Sequence, residues 1–138
     1  MLEQIQTREK VLYLSEPILE IKTNKNNNKE TFVLDYFISK LKYLNLNSNF
    51  EIKLRIHPSE KKKKYQNWIY QNKNININFD NFKNIYDSFA WSNIVVGYST
   101  YALYLAHYCN KEIYSSAPPN SSKILLPIKN LKYLYNLK

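Results

Sequence analysis

Five short apolar runs, separated by segments with helical spacing, constrain this chain more than any other feature of its sequence. A hydrophobic period that switches repeatedly between two and about 3.6 residues predicts parallel strands joined by crossover helices, because a parallel return cannot be made by a tight hairpin. Lys10-Val11-Leu12-Tyr13-Leu14 is the first run, and it closes at Ser15-Glu16-Pro17. Phe32, Val33, Leu34, Phe37, Ile38, Leu41 and Leu44 then fall at the spacing of an amphipathic helix. The second strand alternates from Glu51 to Ile56 and stops at His57-Pro58, since proline cannot donate to a ladder and disfavours helix in the residue before it.

Tyr65, Trp68 and Ile69 predict a helix over 61–71, and Ile75, Ile77 and Phe79 alternate with asparagines as a third strand. Asp80 or Asn81 is placed to cap a short helix carrying Phe82, Ile85, Tyr86 and Phe89. The run Asn93-Ile94-Val95-Val96-Gly97 reads as a strand buried on both faces, and Ser99 or Thr100 opens a helix with Ala102, Leu103, Leu105 and Ala106. Glu112-Ile113-Tyr114-Ser115 is the fifth strand, Ala117-Pro118-Pro119-Asn120 a rigid loop, and Leu131, Leu134 and Tyr135 suggest a closing helix. The asparagine-rich stretch 24–29 reads as a solvated surface loop. The expected fold is α/β, a Rossmann-like doubly wound parallel sheet of about five strands, in one domain over 1–138. Its core lies over 9–116, and 117–138 holds the loop and closing helix.

At 138 residues, with 44% hydrophobic and 15% aromatic residues, the chain has the composition of a globular protein. Its apolar runs fall far below the roughly 20 residues that cross a bilayer, and the N-terminus lacks a basic-then-apolar leader pattern. Cys109 is the sole cysteine, which excludes an internal disulfide and a cysteine metal cluster; a reducing cytoplasm fits this usage. His57, His107 and Cys109 have no metal-ligand spacing, so no metal is expected. The net charge of +9 favours anionic partners, among them phosphorylated small molecules, nucleic acid and the inner face of an anionic membrane. A coding sequence rich in adenine and thymine would also enrich lysine and asparagine, which weakens the charge as a sign of function.

In an open parallel sheet, ligands bind beyond the carboxyl ends of the strands where the winding reverses. For a strand order 3-2-1-4-5 that point lies between the first and fourth strands, so Ser15-Glu16 and Gly97-Tyr98-Ser99-Thr100 flank the crevice and His57 stands one strand away. Gly97 is the only glycine in the chain, and at a strand-to-helix turn it admits close backbone approach or positive φ. Free backbone N–H groups and hydroxyls at Ser99 and Thr100 suit a phosphate. His57 is placed to donate to one or to carry charge beside it. Each motif also has a purely structural reading: a strand end, a helix cap, and a turn histidine bonded to backbone.

At these residues the sequence resembles bacterial sialyltransferases and related capsule and lipooligosaccharide glycosyltransferases of the two-domain GT-B fold. Those families carry a His-Pro motif and a Ser-Ser or Ser-Thr motif in their C-terminal domain, matched here by His57-Pro58 and Ser99-Thr100. The similarity runs from Val11-Leu12-Tyr13-Leu14-Ser15-Glu16-Pro17, through Leu54 to Glu60, to Val95 through Tyr104. The resemblance implies a donor-nucleotide-binding half that takes a CMP-sugar; no cofactor is expected beyond that nucleotide-sugar substrate. In that role His57 stabilises the leaving phosphate and Ser99 and Thr100 bind it. The family's base lies in a triplet of two carboxylates before a glycine, and here Val96 precedes Gly97. The acceptor-binding half is therefore expected to be missing, encoded separately or supplied by a partner such as a second copy, with a glycan as acceptor.

Two further signals carry alternatives. Lys61-Lys62-Lys63-Lys64 beside Tyr65 and Trp68 would suit nucleic acid or a membrane, but the aromatics fall at core spacing and the run reads as a solvated helix face. Tyr101, Tyr104 and Tyr108 read as packing rather than a base-stacking platform. The competing function is a non-catalytic basic α/β module that binds nucleotide or nucleic acid.

Overall fold

The computed structural model describes residues 8–18, 29–121 and 124–138. Its sheet has five parallel strands, β1 (Lys10–Leu14), β2 (Glu51–Arg55), β3 (Ile77–Phe79), β4 (Ile94–Gly97) and β5 (Glu112–Ser115), in the order β3-β2-β1-β4-β5. Four helices flank it: α1 (Lys29–Lys40), α2 (Lys63–Gln71), α3 (Ile85–Trp91) and α4 (Tyr101–Tyr108). This is the expected Rossmann-like doubly wound arrangement. Register pairs Val11 with both Ile52 and Ile94, and Leu12 with Lys53 and Val95. Alternate residues of β1 therefore serve opposite faces.

On one face Val11, Tyr13, Ile52, Leu54, Ile94 and Val96 pack against Leu34 and Phe37 of α1 and Tyr65 and Trp68 of α2. On the other, Leu12, Leu14, Val95 and Ile113 meet Phe89 of α3 and Leu103 and Ala106 of α4. The helices that cross over before β2 and β3 thus lie on one side, and those before β4 and β5 on the other, so the winding reverses between β1 and β4. A third apolar cluster, Ile18, Val33, Tyr98, Ala117 and Ile124, includes residues just beyond β1 and β4.

The structure departs from the sequence reading in several places. The closing helix is absent: only Leu134–Asn136 forms a turn of 3₁₀ helix, and the strand-like bridge Ser115–Tyr133 with the Ser115 N–H to Lys132 C=O bond (2.8 Å) ties the tail to β5. Leu134 is fully buried, so its apolar character reflects this docking rather than a helical face. Asn84, not Asp80 or Asn81, caps α3, with its Oδ1 accepting the Tyr86 N–H at 2.9 Å. Asp80 is occupied instead by Arg55 (3.2 Å) and the Ser88 hydroxyl. That leaves Phe82 outside the helix and exposed, as Phe32 is on α1. Edge strand β3 is shorter than expected, with Ile75 ahead of it in a turn, and the segment after Lys40 tightens into 3₁₀ helix over Leu41–Leu44. The asparagine-rich stretch lies outside the described residues except Lys29, which begins α1.

Asparagine takes over a task usually given to glycine. Among the described residues the non-glycine positions with positive φ are Asn45, Asn110, Asn120 and Asn130, the residue type that best tolerates the left-handed region after glycine. Gly97 itself does not have positive φ. Its need is steric: a Cβ there would meet Thr100 Cγ2 at 3.2 Å and Leu14 Cβ at 3.4 Å. Gly97→Ala is expected to destabilise the protein by about 1–3 kcal/mol, the usual cost of overpacking, as measured by urea denaturation. Unchanged stability would mean that Leu14 and Thr100 yield freely.

Candidate functional site

The carboxyl ends of β1, β2 and β4 deliver Ser15-Glu16, His57-Pro58 and Tyr98-Ser99-Thr100 to one edge of the sheet. Each exit is pinned by backbone. The Ser15 N–H donates to Arg55 C=O at 2.9 Å, extending the β1–β2 ladder by one residue, and the Ser116 N–H donates to Gly97 C=O at 2.9 Å. The Ser115 hydroxyl donates to Tyr98 C=O at 2.8 Å, fixing the turn between β4 and α4. Thr100 is the cap of α4, its Oγ1 accepting the Ala102 N–H at 3.3 Å, so Ser99 keeps its amide and hydroxyl for another partner.

That partner is Glu16. The Ser99 N–H donates to Glu16 Oε1 at 2.6 Å and the Ser99 hydroxyl to Oε2 at 3.1 Å. A carboxylate thus sits where the sequence reading places a phosphate oxygen, held by a main-chain and a side-chain donor at the start of a helix. Burial pushes the Glu16 carboxyl above its ordinary range; the Ser99 amide and hydroxyl, the Thr100 amide and the nearby His57 all oppose this without cancelling it. The receptor favours an anion, and this particular anion bears a net desolvation cost.

His57 is exposed on a tight turn. Its Nδ1 accepts the Ser59 N–H at 3.1 Å and lies 2.8 Å from Ser59 Oγ. Because Nδ1 accepts an amide proton, the neutral ring carries its own proton on Nε2, which leaves an N–H donor directed away from the turn. Pro58 is exposed beside it. Tyr98 is buried in the apolar cluster with Ile18 and Ala117, and Gly97 is buried against Leu14 and Thr100. The structure therefore gathers Glu16, Ser99 and Thr100 in one contact set with His57 in electrostatic reach, while Gly97 and Tyr98 shape the turn from within the core.

Sequence reasoning missed Glu60 and its partners. The Glu60 side chain is 3% exposed and accepts from the Ser15 hydroxyl (2.7 Å), Lys64 Nζ (2.9 Å) and the Tyr65 hydroxyl. Lys64 also pairs with Glu30 of α1. The basic run is consequently not uniform: Lys61, Lys62 and Lys63 are exposed, whereas Lys64 is tied to two carboxylates. The only sequence sign of this was a glutamate three residues beyond the histidine. Tyr65 and Trp68 do lie in the core. The α4 tyrosines do not follow the packing expectation, since Tyr101 and Tyr108 are 60% and 78% exposed and Tyr101 touches only the half-buried Tyr104 among ring contacts.

Among the described residues no group of three or more His, Cys, Asp or Glu is arranged to hold a metal ion, and no helix is long and apolar enough to cross a membrane. No protein-family model, curated protein or solved structure matches this chain.

Two acids are held below the ordinary carboxylate range. Burial acts to raise Glu60, but hydrogen bonds from Tyr65, Lys64 and Ser15 outweigh it; burial likewise opposes, and Arg8 with Tyr114 outweighs it, at Glu112. A depressed native pKa contributes stability that is present above the unfolded value, about 4.3 for glutamate, and is lost as pH falls through the native one. The urea midpoint is expected to fall as pH drops below about 4, with a smaller fall in Glu60→Gln and Glu112→Gln. A midpoint equally acid-sensitive in both variants would contradict the assignment.

Proposed function

We propose that this chain binds the phosphate of a nucleotide-activated sugar in the crevice between β1 and β4, as the donor-binding half of a glycosyltransferase in surface polysaccharide synthesis. One observation carries the reading: the Ser99 amide and hydroxyl already hold a carboxylate at the point where the sheet reverses. A phosphate oxygen offers the same acceptor chemistry with more charge. The resemblance of His57-Pro58 and Ser99-Thr100 to sialyltransferase motifs favours a CMP-sugar of the sialic acid type.

In this reading Ser99 and Thr100 receive the donor phosphate once the Glu16 side chain turns aside. The His57 Nε2–H then donates to a phosphate oxygen that gains negative charge as the bond to the sugar breaks. Such donors accelerate the reaction because they bind the separating charge more strongly than the ground state. The base that takes the proton of the acceptor hydroxyl is assigned to a partner half, either a separate chain or a second copy, which also binds the glycan. This reading needs no metal and places the work on the cytoplasmic side, with contact to an anionic membrane through the exposed lysines.

The exposed Tyr101 and Tyr108 give the competing module for nucleic acid its specific support. Calorimetric titration with CMP, UDP and a short single-stranded oligonucleotide separates the two. CMP binding is expected, and failure of both nucleotides with strongly salt-dependent oligonucleotide binding would overturn the proposal.

His57→Ala and Ser99→Ala are expected to weaken CMP binding about tenfold, the loss of one charge-assisted bond, with little change in melting temperature. Glu16→Ala moves affinity the other way, because it removes the competing carboxylate. Weaker binding in Glu16→Ala would mean that Glu16 contacts the nucleotide itself.

A further inference from the structure

We propose that Glu60 is a positioning residue that sets the orientation of the His57 imidazole at the phosphate site; the proposal rests on the reading of that site given above. Among the described residues the His57 ring is held directly only by Ser59, which meets its Nδ1, and because His57, Pro58 and Ser59 are all exposed no core packing fixes the turn that carries both. The turn they form is closed by the Glu60 N–H to His57 C=O bond at 2.8 Å, so the histidine's place depends on where Glu60 is anchored.

That anchor reaches three other segments. Oε1 accepts the Ser15 hydroxyl at 2.7 Å, beyond the end of β1, and receives a long contact from the His57 N–H at 3.4 Å. Oε2 accepts from the Tyr65 hydroxyl and from Lys64 Nζ at 2.9 Å, both on α2. Lys64 carries the link on to Glu30 of α1. Ser15 Oγ also lies 3.0 Å from the Tyr65 hydroxyl oxygen, so hydroxyl and phenol are organised around the same carboxylate.

A buried carboxylate with this many donors has one favourable placement, and that rigidity passes to the turn. Glu60 and Glu16 are the acids that flank His57, yet they differ in kind. Among the described residues Glu16 is bound by the Ser99 and Thr100 donors that would serve a ligand. Glu60 is bound by Tyr65 and Lys64 of α2 and by the buried Ser15 hydroxyl, and by none of the Ser99 and Thr100 donors that hold Glu16. The first can be exchanged for a phosphate, whereas the second fixes the geometry with which His57 meets it.

The 138-residue chain and its variants are compared by CMP calorimetry and by the ring ¹⁵N shifts of His57 at about pH 8, above the usual histidine pKa. The wild-type shifts should report a single Nε2–H tautomer. Glu60→Ala is expected to average them and to weaken CMP binding about tenfold, the scale of losing orientation at a reacting group. Glu60→Gln, which keeps volume and one acceptor, should fall between the two. In a His57→Ala background Glu60→Ala should cost no further affinity, because its effect passes through the ring.

Should Glu60→Ala fail to fold, Tyr65→Phe and Ser15→Ala each remove one donor and are expected to move the His57 shifts in the same direction. Unchanged shifts in all three variants, or equal loss of affinity with and without His57, would overturn the proposal. If wild type fails to bind CMP, the nucleotide reading falls, while the His57 shifts still decide whether Glu60 positions the ring.

Discussion

Everything placed at the site follows from the position of β1 between β2 and β4. Val11, Leu12, Tyr13 and Leu14 are all buried, as a strand covered on both faces requires. With β2 and β3 wound to one side and β4 and β5 to the other, the crossover helices leave the ends of β1 and β4 in opposite directions. Ser15 and Glu16 leave the core on one side of the gap between these ends and Ser99 and Thr100 on the other, so the contact between Glu16 and Ser99 joins residues 83 apart in sequence. The sole glycine serves the same junction by letting Leu14 and Thr100 approach within contact of the β4 backbone.

Two glutamates at this junction show how surroundings assign roles to identical side chains. Glu16 gains three donors from the α4 entry, yet burial still leaves its carboxyl above the ordinary range, so its charge is held at a cost. At Glu60 the Tyr65 hydroxyl, Lys64 and the Ser15 hydroxyl together overcome burial and stabilise the charge. The donors bonded to Glu16 among the described residues are thus all neutral, whereas Glu60 adds a bonded ammonium group to its neutral hydroxyl donors. An acid of the first kind yields its place readily to a stronger anion, and one of the second kind acts as scaffold.

The five strands and their ends were legible because they depend on hydrophobic period and on proline and glycine at strand exits, which are local features; the order 3-2-1-4-5 entered only as a condition, which the sheet meets. His57, Glu16 and Ser99 could be placed at one edge for the same reason. That Glu16 would take the Ser99 donors was not legible, since it depends on the reach of a side chain across two strands. Glu60 stands beside four lysines that read as a solvated face; its contact with Tyr65 is local, but Ser15 is brought to it only by the tertiary fold. The tail misled because Leu131 and Leu134 have helical spacing but pack into different clusters, and Asp80 resembled a cap because its tie to Arg55 spans two strands.

The central claim is that an anion of a nucleotide binds between β1 and β4. Amide and imidazole NMR shifts recorded during addition of CMP test it most directly. The account predicts that the Ser99 and Thr100 amides and the His57 ring shift first, together with Glu16, while α2 residues such as Gln66 and Tyr70 stay still. Shifts confined to α2 and its lysines, or none at saturating nucleotide, would contradict it.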